Sequence, residues 1–265
     1  MKVGLKEFKL KILGIGVPFL FRTIAESAAA GIVTANLLIH VDASNASSYP
    51  GSGTTWTDLQ GNYNGTLTNG PTYSSADGGQ IVFDGTDDWV TFGNVTEQAE
   101  ASAFSVQMWF RMEDATLSNN RLWGRRRNSD SKIISGWVGA NGSIYFYNAN
   151  NTSNQFALKT GNSFTDNEWY NIAWVFDGSG AANADRAKIY LDGSELTSLT
   201  FGSNGVPTTT FDFPSYEQFV IGADRTNFSN QRLEGGIGEF MEYTSALSAD
   251  DVLANFNATK TRYGK

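Results

Sequence analysis

The chain of 265 residues has one histidine, no cysteine, 17% charged residues and a formal net charge of −8. Without cysteine there are no disulfides, thiolate nucleophiles or thiolate metal sites, and a lone histidine excludes a multi-histidine zinc centre. The acidic balance argues against a nucleic-acid-coating protein, whose phosphate affinity comes from clustered Lys and Arg.

The first 30 residues form a segment of their own. Lys2, Lys6, Lys9, Lys11 and Arg22 outnumber Glu7 and Glu26, so this segment carries +3 and the remainder −11. Lys-rich MKVGLKEFKLK precedes apolar ILGIGVPFLF and small-residue AESAAAG, the order of a secretory signal. The apolar run 12–21 is too short to span a bilayer. Phe8, Leu10 and Ile12 alternate with lysines at strand spacing, and so short a segment cannot bury its own apolar face. Residues 1–30 are read as an anchoring arm that packs on a partner, with Phe8, Leu10, Ile12, Phe19 and Phe21 as its anchors. The alternative is a cleaved export signal.

From 31 to 265 the pattern is that of one β domain. Short apolar runs bounded by Gly, Asn, Asp, Ser and Thr predict strands at 37–41, 80–83, 89–92, 104–112, 132–138, 143–147, 169–176, 187–191, 218–221 and 236–243. Asp84-Gly85, Asn141-Gly142, Asp177-Gly178 and Asp192-Gly193 tolerate positive φ and are expected at tight turns. One helix is expected near the end: Ser248 can cap it, and Asp250 and Asp251 oppose its positive end.

Three surface clusters are chemically suggestive. Asp84, Asp87 and Asp88 supply hard oxygen ligands suited to calcium, with Asp42 or Asp58 able to join them through the fold; as plain turn residues they would bond backbone amides. Tyr145, Tyr147 and Asn150, with Phe228 in a later loop, mix aromatic faces with amides as a glycan site requires. Arg121, Arg125, Arg126 and Arg127 form the one basic cluster of the body, read as a solvated strand edge or a contact for an anionic partner. His40, between Ile39 and Val41, reads as a satisfied strand histidine.

Four stretches occur in an order that resembles the laminin-G-like, concanavalin A-like lectin/glucanase superfamily: IVFDGTDDWVTFG at 81–93, FSVQMWFRM at 104–112, EWYNIAWVFDG at 168–178 followed by KIYLDGSEL, and GGIGEFMEYTSALSADDVLANF at 235–256. The resemblance implies an all-β, two-sheet antiparallel jelly-roll sandwich with a short C-terminal helix. The upstream stretch 37–73 is similar to the opening of such domains in tailed-phage virion proteins. That likeness implies a non-enzymatic structural protein on capsid or tail. It would be a homo-oligomer held to other virion proteins by its arm, with weak binding to host-surface glycans and no nucleic acid or membrane span. A secreted lectin-like module is the second reading.

Glycoside hydrolases of related folds use paired carboxylates, and a retaining pair needs carboxyls about 5 Å apart. No Glu-x-Asp-x-Glu motif occurs, and the adjacent pairs Asp87-Asp88, Glu113-Asp114 and Asp250-Asp251 would point to opposite faces of a strand. Glu239 and Glu242 are the remaining pair. The chain is therefore expected not to be an enzyme, with hydrolysis the third reading.

Overall fold

The computed structural model describes residues 31–118, 120–126, 132–149, 155–215, 217–224 and 232–265. Two antiparallel sheets face each other. The first runs Ser194–Glu195, Ala187–Leu191, Trp169–Asp177, Ala103–Met112, Glu234–Tyr243, Gln80–Asp84 and Thr72–Ser74, and Leu37–Asp42 pairs with the later half of Glu234–Tyr243. The second runs Thr200–Phe201, Phe156–Lys159, Ser143–Ala149, Ile133–Gly139, Asn120–Arg126, Phe219–Ile221, Trp89–Gly93, Gly65–Thr68 and Thr55–Trp56. Each of the ten strands expected from the sequence is present, and the architecture is the jelly-roll sandwich.

Strand alternation builds the core. Phe104, Val106, Met108 and Phe110 from one strand and Ile172, Trp174 and Phe176 from its neighbour point toward the second sheet. Trp174 is fully buried at the centre, where it meets Trp123 edge-on at 5.7 Å. Its Nε1 donates to the Tyr145 carbonyl across the sandwich at 3.0 Å. Gly136 makes room for this pair: a Cβ there would stand 2.3 Å from Trp123 Nε1 and 2.6 Å from Trp174 Cε2.

The turns divide into two kinds. Asn141-Gly142 (φ 59 and 66) and Asp192-Gly193 (φ 47 and 77) place two successive residues in the left-handed region, as expected. At Asp177-Gly178 neither residue does, although the chain turns there as expected, with the Gly180 amide donating to the Asp177 carbonyl at 3.1 Å. Glycine is required there by close approach, since a Cβ on Gly178 would lie 1.8 Å from the Thr208 carbonyl oxygen.

The outer face of the first sheet is covered by the helix Ala249–Thr259, which sets Val252 against Val175, Met241 and Tyr243. Ser248 caps the helix, accepting from the Asp251 amide while the Asp251 carboxylate accepts from the Ser248 amide. Trp109 and Trp169 are buried under the helix and the C-terminal turn and not between the sheets. Trp109 stacks on Tyr263 at 4.3 Å and donates to Thr259 Oγ1. The chain is fastened to the same face just after the arm: the Val33 amide donates to Asn255 Oδ1 at 2.8 Å, and the Tyr243 hydroxyl donates to the Val33 carbonyl. Among the described residues no helix is long and apolar enough to cross a membrane. The anchoring residues proposed for the arm, Phe8, Leu10, Ile12, Phe19 and Phe21, lie outside the described residues.

Because rigid indoles line the Gly136 site, Gly136→Ala should destabilise the fold by about 1–3 kcal/mol, lowering the melting temperature by roughly 3–10 °C. A thermal melt of the variant within a degree of the parent would refute the close packing described for this site.

Candidate functional site

The outer face of the second sheet carries a row of stacked side chains. Closing the hairpin between Gly139 and Ser143 sets Trp137 opposite Tyr145, and the two-residue period adds Tyr147 on the same face. Trp137 stacks on Tyr145 at 4.5 Å and on Tyr147 at 4.7 Å, and Tyr147 continues onto Phe156 at 5.2 Å. At the other end the Arg121 guanidinium lies 3.5 Å from the Trp137 ring centroid, a cation–π contact that holds the indole upright. Gly139 allows the arrangement, since even a Cβ would press the Tyr145 ring at 3.1 Å.

This geometry alters how the two tyrosines can act. Trp137 covers one face of each tyrosine and Phe156 stacks on Tyr147, so much of the stacking surface is taken up within the ridge, which presents ring edges and hydroxyl groups beside it. Within the described residues the Tyr145 hydroxyl makes no hydrogen bond. Trp137 is a member of the site that sequence reasoning did not single out, although the hairpin register joins it to Tyr145, and Arg121 joins the ridge from the basic cluster, which nothing in the sequence linked to the tyrosines. Asn150 and Phe228 lie outside the described residues.

The arginine cluster departs from the solvated edge expected for it. Asn120–Arg126 is an interior strand, flanked by Ile133–Gly139 and Phe219–Ile221. A register shift between Arg121 and Trp123 lets Arg121 face outward and Arg125 inward. Arg121 approaches the buried carboxylate of Asp224 at 3.7 Å, and Asp224 sits directly over Gly124, where a Cβ would be 2.8 Å from its Cα. Arg125 is enclosed between the sheets, donating to the Val95 carbonyl and to Asn94 Oδ1 with its guanidinium 4.3 Å from the Phe213 ring centroid. Burial lowers its pKa to about 10, still well above neutrality.

Asp84, Asp87 and Asp88 are brought together, their nearest oxygens all within 4.8 Å of one another. Asp84 Oδ1 accepts from the Thr86 amide and Asp88 Oδ2 from the Asp84 amide, so part of their capacity goes to shaping the turn. Burial first, then the neighbouring carboxylates, raises the Asp88 pKa. Neither Asp42 nor Asp58 joins them. Asp58 accepts four backbone amides, from His40, Gln60, Asn62 and Tyr63, and organises its own loop. Asp42 lies on the outer face of the first sheet beside His40 and Glu239.

Glu239 and Glu242 cannot act as a pair. Glu239 is on the outer face, opposite Asp42, whereas Glu242 points between the sheets and accepts from Gln98 Nε2 at 2.7 Å. A sheet separates the two carboxyls. Burial raises the Glu242 pKa to about 8, outweighing the Gln98 hydrogen bond and the attraction of Arg125.

A laminin-G-type family model, described as the concanavalin A-like lectin/glucanases superfamily, matches residues 84–253. The chain belongs to that superfamily. No curated protein matches by sequence. Among solved structures it is similar to domain 4 of AbnA, a GH43 extracellular arabinanase from Geobacillus stearothermophilus, in complex with arabinotriose. That likeness has 20% identity and a TM-score of 0.58, and it covers 83% of this chain and 97% of that one. It is also similar to Trypanosoma rangeli sialidase in complex with sialic acid, at 13% identity and a TM-score of 0.62, over 88% of this chain and 35% of the sialidase. The binding domain of Botulinum neurotoxin DC in complex with rat synaptotagmin II gives 15% identity and a TM-score of 0.54, over 84% and 51%. At these identities the shared property is the fold, and the chain spans only about a third of the sialidase.

Glu242 gives the fold a pH dependence of known sign. Its native pKa of about 8 exceeds the ordinary 4.5, so the native state holds the extra proton and stability falls as pH rises from about 4.5 through 8. Glu242→Gln removes that titration while keeping the shape. The variant should melt close to the parent at pH 5 and several degrees above it at pH 9, and an equal difference at both pH values would contradict the buried, protonated carboxyl.

Proposed function

We propose that the chain is a non-catalytic glycan-binding module displayed by its N-terminal arm on a larger particle, a virion in the reading that its opening stretch supports. The observation that carries this is the ridge of Trp137, Tyr145, Tyr147 and Phe156 on the outer face of the second sheet. It lies on the side of the sandwich opposite to Val33, where the chain leaves the arm and fastens to the first sheet. A module tethered on one face and carrying its binding groups on the other can meet a glycan surface without its anchor intervening. The Tyr145 hydroxyl is a ready partner for sugar hydroxyls, and the stacked rings keep it fixed.

Hydrolysis is the less supported reading. A carbohydrate-active fold hosts many functions, and fold alone does not select one. The one carboxylate pair that the sequence left open is divided by a sheet.

The test is glycan-array binding by the full chain. Tyr145→Phe should weaken the selected glycan by about fivefold, the loss of a single hydrogen bond, and Trp137→Ala should weaken it further by removing the stack that supports Tyr145. Deleting residues 1–30 should leave binding intact and abolish incorporation into particles. Binding unaffected by both ridge variants would reject the site, and sugar release from a polysaccharide panel would reject the non-catalytic reading.

Calcium at Asp84, Asp87 and Asp88 is the cofactor that this reading allows, because three carboxylates at this spacing suit a hard cation. Calcium at about ten times its Kd should stabilise the fold by about 1.4 kcal/mol, seen as a rise of a few degrees in melting temperature that Asp88→Asn removes. An identical rise in parent and variant would exclude this loop as the calcium site.

A further inference from the structure

We propose a second ligand site on the opposite face of the sandwich, where His40, Asp42 and Glu239 bind a zinc-class divalent cation. The backbone brings these three together. His40 and Asp42 are two apart on one strand and so share a face, and the antiparallel register sets Glu239 directly opposite Asp42 on the neighbouring strand. One donor atom from each lies within 4.8 Å of the others, so a small contraction closes them around an ion with ligand distances near 2.0–2.2 Å.

The hydrogen bonding leaves this cluster incomplete. His40 Nε2 meets Glu239 Oε1 at 2.9 Å. Among the described residues Glu239 Oε2 has no hydrogen-bond partner, and it is buried in a residue only 1% exposed. A carboxylate oxygen shut away from water without a donor is costly, and a cation beside it removes the cost. Asp42 Oδ1 is already engaged by the Ser44 amide, the Ser44 hydroxyl and Arg262 Nη1, the last at 2.8 Å, which orients its second oxygen. The His40 side chain is 12% exposed, and that opening admits an ion and a completing water.

The donor set selects the class of ion. One imidazole nitrogen with two carboxylates and a water suits zinc and its first-row neighbours, whereas calcium and magnesium favour oxygen donors alone. Arg262 is the built-in competitor. It supplies the positive charge that the cluster otherwise has from the protein, and a bound dication would take over that role.

His40 is the sole histidine of the chain, and there is no cysteine, so its ring resonances report on this site without ambiguity. In full-length protein freed of metal by chelation, added zinc should shift the imidazole signals of His40 and saturate at one equivalent for this site. His40→Gln and Glu239→Gln should each weaken zinc binding at least about tenfold, the scale on which metal-site partners act. Glu239→Gln keeps a hydrogen-bonding group beside His40, so at least one of the two variants tests the site in a folded protein. Arg262→Gln should tighten binding by about tenfold, because it removes a repelling charge. The proposal is overturned by His40 resonances that stay fixed up to about 1 mM zinc, or by zinc binding of equal strength in parent and Glu239→Gln. Asp88→Asn, which alters the acidic turn and not this face, should leave the zinc response unchanged; its loss there would relocate the ion to that turn.

Discussion

The sandwich depends on the meeting of Trp174 and Trp123 over Gly136. Two sheets can share a core only at a separation that their largest side chains permit, and here an indole from each sheet occupies the middle. The absent side chain at Gly136 lets both indoles fit. The Trp174 hydrogen bond to the Tyr145 carbonyl then ties the strand Trp169–Asp177 of one sheet to the strand that carries the aromatic ridge on the other. The buried tryptophan thus fixes the backbone from which Tyr145 and Tyr147 project outward. Packing in the interior and presentation at the surface are two faces of one strand.

The placement of charge follows from the same two-faced geometry. The middle of the first sheet's outer face is not left to solvent: the helix and the C-terminal turn cover it, and the polar groups beneath form a closed set of Gln107, Asn171 and Asn255 bonds. His40, Asp42 and Glu239 lie on this covered side without the same closure. Arg125 and Glu242 occupy the space between the sheets, where burial moves both groups toward their neutral forms. The second sheet keeps its outer face for the ridge, braced by Arg121 at one end. Each face therefore has a distinct chemistry, although all three are built from the same alternating strands.

Much of this was legible from local pattern. Strand existence, the inward row of Phe104, Val106, Met108 and Phe110, the Ser248 cap and the glycine turns follow from periods of two and from the conformations that Asn, Asp and Gly tolerate. The arginine run was less transparent. A cluster of like charges reads as an exposed edge, yet a register shift after Arg121 turns one arginine onto an indole and sends Arg125 into the interior. That outcome depends on strands paired on both sides, which no local window contains. Asp58 is a similar case: its type suggested a metal ligand, and four converging amides make it the organiser of a loop.

The sequence by itself determined the class of the fold, because alternation decides which side of a strand each residue faces and turn chemistry decides where strands end. It also marked Tyr145 and Tyr147 as neighbours on one face and the three aspartates as one turn. Only the tertiary structure decided who meets whom across the sheets. Trp137 and Arg121 joined the ridge through strand pairing, Glu239 and Glu242 were parted by the sheet between them, and Glu239 was set beside His40 and Asp42 from the far end of the chain. The physical reason is that side-chain direction is a local property of the backbone, whereas register and strand order are settled by packing the whole core at once.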